Sequence, residues 1–138
     1  RLVPLHNPQS QHHMPDWNNF PAYPLALLGF GDDGHTLSLF PDSFCLKSAT
    51  DPQSNKLYFE NLHKKGENFF RISFGFAMLA KFNHIILIVS DETKRAFLEK
   101  ALLSKQTNLP IVQLVEVFGT KIRFFTYKSK IKFRCFSK

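Results

Sequence analysis

The segment Gly29-Phe30-Gly31-Asp32-Asp33-Gly34-His35 places residue types that move protons, two carboxylates and an imidazole, in a turn with three glycines. A histidine near a carboxylate can take a proton from water close to neutral pH. Glycines let the backbone approach a ligand closely and turn its amides outward. The chemistry such a cluster supports is activation of water. The competing reading of the same residues is a glycine turn with a surface histidine and capping aspartates. A second histidine cluster, His12-His13, has no partner at ligand spacing, so it reads as a solvated loop and no metal is expected.

The position of the glycine segment follows from its neighbours. Leu25-Ala26-Leu27-Leu28-Gly29 is a short apolar run ended by glycine, the pattern of a strand buried on both faces. The turn after it then lies at the carboxyl end of a sheet, where open α/β folds place ligands. Thr36 to Phe40 is expected to begin a short helix stopped by Pro41. Residues 41–68 read as a long polar connection with a basic patch at His63-Lys64-Lys65. Phe69 to Phe74 reads as a strand and Gly75 to Phe82 as a short helix with Phe76, Leu79 and Ala80 on one face. His84 to Val89 is expected to be a second fully buried strand. Ser90 is expected to cap a helix over Glu92 to Lys105, with Phe97, Ala101 and Leu102 as its buried stripe. Leu109-Pro110 reads as a break, Ile111 to Val117 as a strand, and Ile122 to Tyr127 as another after the Gly119 turn. Strands alternating with helices imply an α/β fold with a mostly parallel, Rossmann-like sheet flanked by helices.

At 138 residues the chain is expected to be a single domain, with 1–24 a Pro-rich irregular arm and 128–138 a basic tail. Sixteen Phe make a sizeable core easy to build. The net charge is +7. Lys121, Arg123, Lys128, Lys130, Lys132, Arg134 and Lys138 fall in the last stretch with no acid among them, and the rest of the chain is balanced. The excess is therefore local. The tail reads as a lysine-guarded edge strand or a frayed end, and neither a nucleic-acid nor a membrane partner is expected. No apolar run approaches the ~20 residues that span a bilayer, and Arg1 to Pro8 lacks the apolar region of a signal peptide. Cys45 and Cys135 make no disulfide framework, so a reduced, cytoplasmic setting is expected.

The string from Leu27 to Pro41, LLGFGDDGHTLSLFP, resembles the signature of 6-phosphogluconolactonases, approximately LLGxGxDGHTxSLFP. Arg71-Ile72-Ser73 is similar to the family's Arg-Ile/Val-Thr strand. Val89-Ser90-Asp91-Glu92-Thr93-Lys94 resembles its Val-Thr-Gly-x-x-Lys turn, and Leu109-Pro110 its Leu-Pro. The resemblance covers about residues 25 to 127 and implies the sheet shared with glucosamine-6-phosphate deaminases. It implies that His35 is the base that activates water, that Asp33 orients the imidazole or contacts substrate, and that Gly31 and Gly34 shape the turn. It further implies that Arg71 and Lys94 hold the sugar phosphate. That fits a lysine in the first turn of a helix, where amides and the dipole favour an anion, and an arginine able to grip phosphate twice. No cofactor is implied. The substrate would be a sugar-phosphate lactone of the pentose phosphate pathway.

The chain also departs from that pattern. The family's Gly-Gly-Ser/Thr phosphate loop and Asp-Glu-Arg stretch are not found, so the family domain is expected to lack its N-terminal part. Asp91 stands where the family has glycine. The family's acidic C-terminal helix is replaced by the basic tail. Such a chain is expected to self-associate or to pair with a missing N-terminal segment. The alternative function is a truncated, non-catalytic module that binds sugar phosphate or a partner. An isomerase or deaminase is disfavoured by Ser38-Leu39-Phe40-Pro41 after His35-Thr36.

Overall fold

A computed structural model describes residues 23–62 and 71–126. The arm before Tyr23, the His63-Lys64-Lys65 patch and the tail 128–138 lie outside the described residues. The elements are β1 (Tyr23–Leu28), α1 (Leu46–Ala49), β2 (Tyr58–Leu62), β3 (Arg71–Phe74), α2 (Phe76–Leu79), β4 (Phe82–Val89), α3 (Glu92–Leu103), α4 (Pro110–Phe118) and β5 (Ile122–Thr126).

The apolar, β-branched run of β4 forms the middle of a three-stranded parallel sheet ordered β1-β4-β5. Ala26 aligns with Ile85 and Ile85 with Ile122, while Leu27 aligns with Ile86 and Ile86 with Arg123. Parallel strands need long crossovers. The one from β4 to β5 carries α3 and α4, and the one from β1 to β4 carries β2 and β3, an antiparallel pair in a sheet of their own. The expected α/β architecture is therefore the observed one.

The core lies on one face of the sheet. Ile85, Leu87 and Val89 alternate inward from β4 and meet Leu98 and Ala101 of α3 and Ile111, Val112, Leu114 and Phe118 of α4. Burial of each of these aliphatic side chains contributes on the order of 1.5–3 kcal/mol. Alternation puts the neighbouring residues on the other face, where Leu25 and Leu27 are 47% and 63% exposed. β1 is thus not buried on both faces as its apolar run suggests, and neither is β4, whose His84 is exposed and whose Ile86 and Ile88 are half-buried.

Four further expectations are corrected. Residues 111–117 are not a strand but most of α4: Pro110 opens the helix with its φ already suitable, and burial falls at helical spacing. Thr36 to Phe40 is not helical, because Leu37 adopts φ 57° and Thr36 pairs in bridges with Phe30 and Leu39. The connection after Pro41 contains α1 and β2. The cap of α3 is Asp91 rather than Ser90, and the stripe shifts: Ala101 is buried as expected and Leu98 joins it, while Phe97 and Leu102 are only partly buried against the core.

Candidate active site

Because β1 and β4 run parallel, the segments after Leu28 and Val89 emerge at the same carboxyl edge. The first is the glycine turn and the second leads into α3. They share an open cavity of about 510 Å³ whose lining includes Gly31, His35 and Lys94.

The turn is held from within. The Gly31 amide donates to the His35 carbonyl at 2.9 Å, and the Gly34 amide to the Gly31 carbonyl at 3.0 Å. Thr36, fully buried, donates its hydroxyl to the Gly29 carbonyl at 2.9 Å. Gly34 has φ +81°, a left-handed conformation that strains other residues, and its α-carbon packs on Leu109. Its carbonyl accepts the Ile111 amide at 3.0 Å, which ties the turn to the start of α4. The amides of Gly31 and Gly34 are therefore committed inside the turn. The notion that glycines here expose their amides to a ligand does not hold for these two.

His35 Nδ1 lies 2.5 Å from Asp33 Oδ1. An ionised carboxylate only accepts, so Nδ1 carries the hydrogen and Nε2 of the neutral ring keeps its lone pair. The same Oδ1 accepts the His35 amide at 3.2 Å, which fixes the carboxylate against its own turn. Both side chains are 31% exposed, so the pair is reachable by water. A Cβ at Gly31 would overlap Cε1 and Nδ1 of His35, so glycine is required for the ring to lie where it does. Phe40 also borders the imidazole, its ring centroid 4.8 Å away.

Lys94 reaches the cavity from the first turn of α3. Its Nζ donates to the Phe30 carbonyl at 2.7 Å and lies 4.0 Å from Asp32 Oδ1. Asp32 is 88% exposed, so that ion pair is weak. The backbone amide of Lys94 is not available to an anion: Asp91 Oδ1 accepts it at 2.9 Å. The Lys94 amide, with the Ser90 hydroxyl next in strength, holds the Asp91 carboxyl below its ordinary range.

Arg71 stands outside the cavity lining. Its guanidinium lies over the Phe40 ring, 5.5 Å from the centroid, on the strand that also carries Ser73. The Ser38 amide donates to Ser73 Oγ at 3.1 Å and draws β3 against the segment after His35. The structure thus brings His35, Asp33, Gly31 and Lys94 together and places Arg71 one ring away. Phe40, Thr36 and the Phe30 carbonyl were not picked out as site residues by sequence reasoning. The Ser-Leu-Phe-Pro run after His35 was the available signal for Phe40. Among the described residues no three His, Cys, Asp or Glu side chains converge as metal ligands, and no helix is long and apolar enough to cross a membrane.

Residues 2–121 match the family model described as glucosamine-6-phosphate isomerases/6-phosphogluconolactonase. The chain is 33% identical over 104 residues to 6-phosphogluconolactonase 4 of Saccharomyces cerevisiae, covering 75% of this chain and 40% of that protein. It is 30% identical over 115 residues to a probable chloroplastic 6-phosphogluconolactonase 4 of Oryza sativa subsp. indica, covering 81% and 34%. The fold superposes on the crystal structure of a 6-phosphogluconolactonase from Shewanella baltica with a TM-score of 0.67 and 28% identity, over 78% of this chain and 46% of that one. The chain therefore spans less than half the length of these relatives. On the family match, which takes in the glycine turn, β3 and α3 alike, this chain belongs to the glucosamine-6-phosphate isomerase/6-phosphogluconolactonase family.

Proposed function

We propose that the chain acts in the hydrolysis of 6-phospho-D-glucono-1,5-lactone to 6-phosphogluconate, a step of the pentose phosphate pathway. The reading rests on family membership and on one observation, the Asp33-fixed His35 ring facing a cavity it shares with Lys94. Nε2 takes a proton from water as the oxygen attacks C1 of the lactone. The C1–O5 bond then breaks, and the proton passes to O5, which leaves as the C5 hydroxyl. Asp33 keeps Nδ1 protonated and stabilises the imidazolium that forms. Lys94 and Arg71 hold the phosphate, supplying the orientation that makes attack effectively intramolecular. No cofactor takes part, and the setting is the cytoplasm.

The test is steady-state hydrolysis by the 138-residue chain and by His35→Ala, with the spontaneous hydrolysis of the lactone subtracted. A general base contributes ~10²–10⁴-fold. A loss of only a few-fold in His35→Ala removes His35 as the base. A wild-type chain that binds 6-phosphogluconate without turnover above background assigns the non-catalytic reading instead.

A further inference from the structure

The imidazole of His35 is confined on three sides. Asp33 Oδ1 fixes Nδ1, the Gly31 α-carbon lies so close that no Cβ would fit, and the Phe40 ring sits 4.8 Å away, tilted by 48°. Phe40 is only 3% exposed and, unlike His35 and Leu37 of the same segment, is not among the residues that line the cavity. Its ring also carries the Arg71 guanidinium at 5.5 Å. One buried ring therefore contacts both the histidine and the arginine, which come from segments 36 residues apart in sequence. The hydrogen bond from the Ser38 amide to Ser73 Oγ holds the two segments together beside it.

We propose that Phe40 is a positioning residue: its ring fixes the orientation in which His35 presents Nε2 to the cavity and sets the place of Arg71 relative to it. A flat ring against the imidazole limits rotation about the bond that Asp33 alone leaves free to swing. The π face attracts the guanidinium, so Arg71 is located by the same side chain. An aliphatic residue of similar bulk fills the space and supplies neither constraint. This rests on the lactonase reading for its kinetic consequence and not for its structural one.

The experiment is a double-mutant cycle on the 138-residue chain with Phe40→Leu, His35→Ala and both together, assayed for lactone hydrolysis. We expect Phe40→Leu to lower kcat at least tenfold when His35 is present and by a clearly smaller factor, the part carried through Arg71, when His35 is absent. Equal losses in the two backgrounds, or a Phe40→Leu kcat within twofold of wild type, overturn the proposal. If wild type shows no turnover, the lactonase reading fails, and nuclear Overhauser contacts of the His35 ring protons decide the matter. Asp33 keeps the Nδ1–H tautomer in both proteins; the wild type is expected to show the contacts of one ring orientation and Phe40→Leu contacts averaged over several, and identical contacts overturn the proposal. If Phe40→Leu fails to fold by circular dichroism, the partly buried Arg71→Met takes its place. Removing the cation from the Phe40 ring is expected to change the nuclear Overhauser contacts of the His35 ring protons, and unchanged contacts overturn the proposal.

Discussion

Asp33 decides which nitrogen of His35 is basic. In Asp33→Asn the amide can either donate to Nδ1 or accept from it, so the tautomer is no longer fixed. We expect kcat to fall at least tenfold with KM changed less than threefold, as for a group that acts in the transition state rather than in binding. A change confined to KM would place Asp33 on the substrate instead. Gly31→Ala acts through sterics on the same ring, because the new methyl would occupy the space of Cε1 and Nδ1. Its kcat should fall to the level of His35→Ala while the far-UV circular dichroism stays that of wild type. The His35, Asp33 and Gly31 arrangement was legible in the sequence because it is local, spanning Gly31 to His35 in one turn. The contact of Lys94 Nζ with the Phe30 carbonyl bridges 64 residues and left no local signal.

At the scale of the element, the start of α3 is a competition between a built-in carboxylate and an outside anion. Asp91 accepts the Lys94 amide and so occupies one of the donors that would otherwise meet a phosphate. Asp91→Gly should therefore tighten binding of inorganic phosphate or 6-phosphogluconate in a titration, while Tm falls as the cap is lost. Unchanged affinity would show that the first turn of α3 takes no part in binding. The pH dependence follows from the sign of the Asp91 shift. Its carboxyl is held below the ordinary range in the folded chain. Its stabilisation is therefore present above the unfolded pKa and is lost as pH falls through the folded one. The Tm difference between wild type and Asp91→Ala should be constant near neutrality and shrink on acidification below the ordinary carboxylate range. A difference independent of pH would mean that charge plays no part in the cap. The element next to this helix shows why some of the fold could not be read from the chain. α4 is rich in Ile and Val, which favour strands in isolation. Its helical state comes from Pro110 at the first position and from the core that takes Ile111, Leu114 and Phe118 on one side, a tertiary choice that overrides propensity. The turn at Leu37 is similar, since its positive φ is imposed by the bridges that Thr36 makes to Phe30 and Leu39.

At the scale of the molecule, the sheet has two unlike faces. One packs on α3 and α4. The other carries Leu25, Leu27 and Phe125, exposed by 47%, 63% and 66%, with the half-buried Ile86 and Ile88 between them. The register pairs Leu27 with Ile86 and Ile88 with Phe125, and it sets the exposed His84 beside Leu25 and the exposed Arg123 beside Ile86, so the face is largely apolar with two polar side chains within it. Exposed apolar side chains clustered on one face favour association, and β1 and β5 are edge strands of the described sheet. Against association stands the net charge of +7, which makes two copies repel. The two effects respond to salt in opposite ways. Repulsion is screened within ~8 Å at physiological ionic strength, whereas apolar contact is not. Association of the 138-residue chain, followed by light scattering against concentration, should therefore strengthen as salt rises from about 0.01 M to 0.5 M. The double variant Leu25→Thr with Phe125→Thr should weaken it at every salt concentration. Its stability should change by no more than about 0.5 kcal/mol per site, since exposed positions carry little folding energy. Association that weakens with salt would instead point to pairing between opposite charges, and a monomer at all concentrations would show that the open face of the sheet does not bind a second copy.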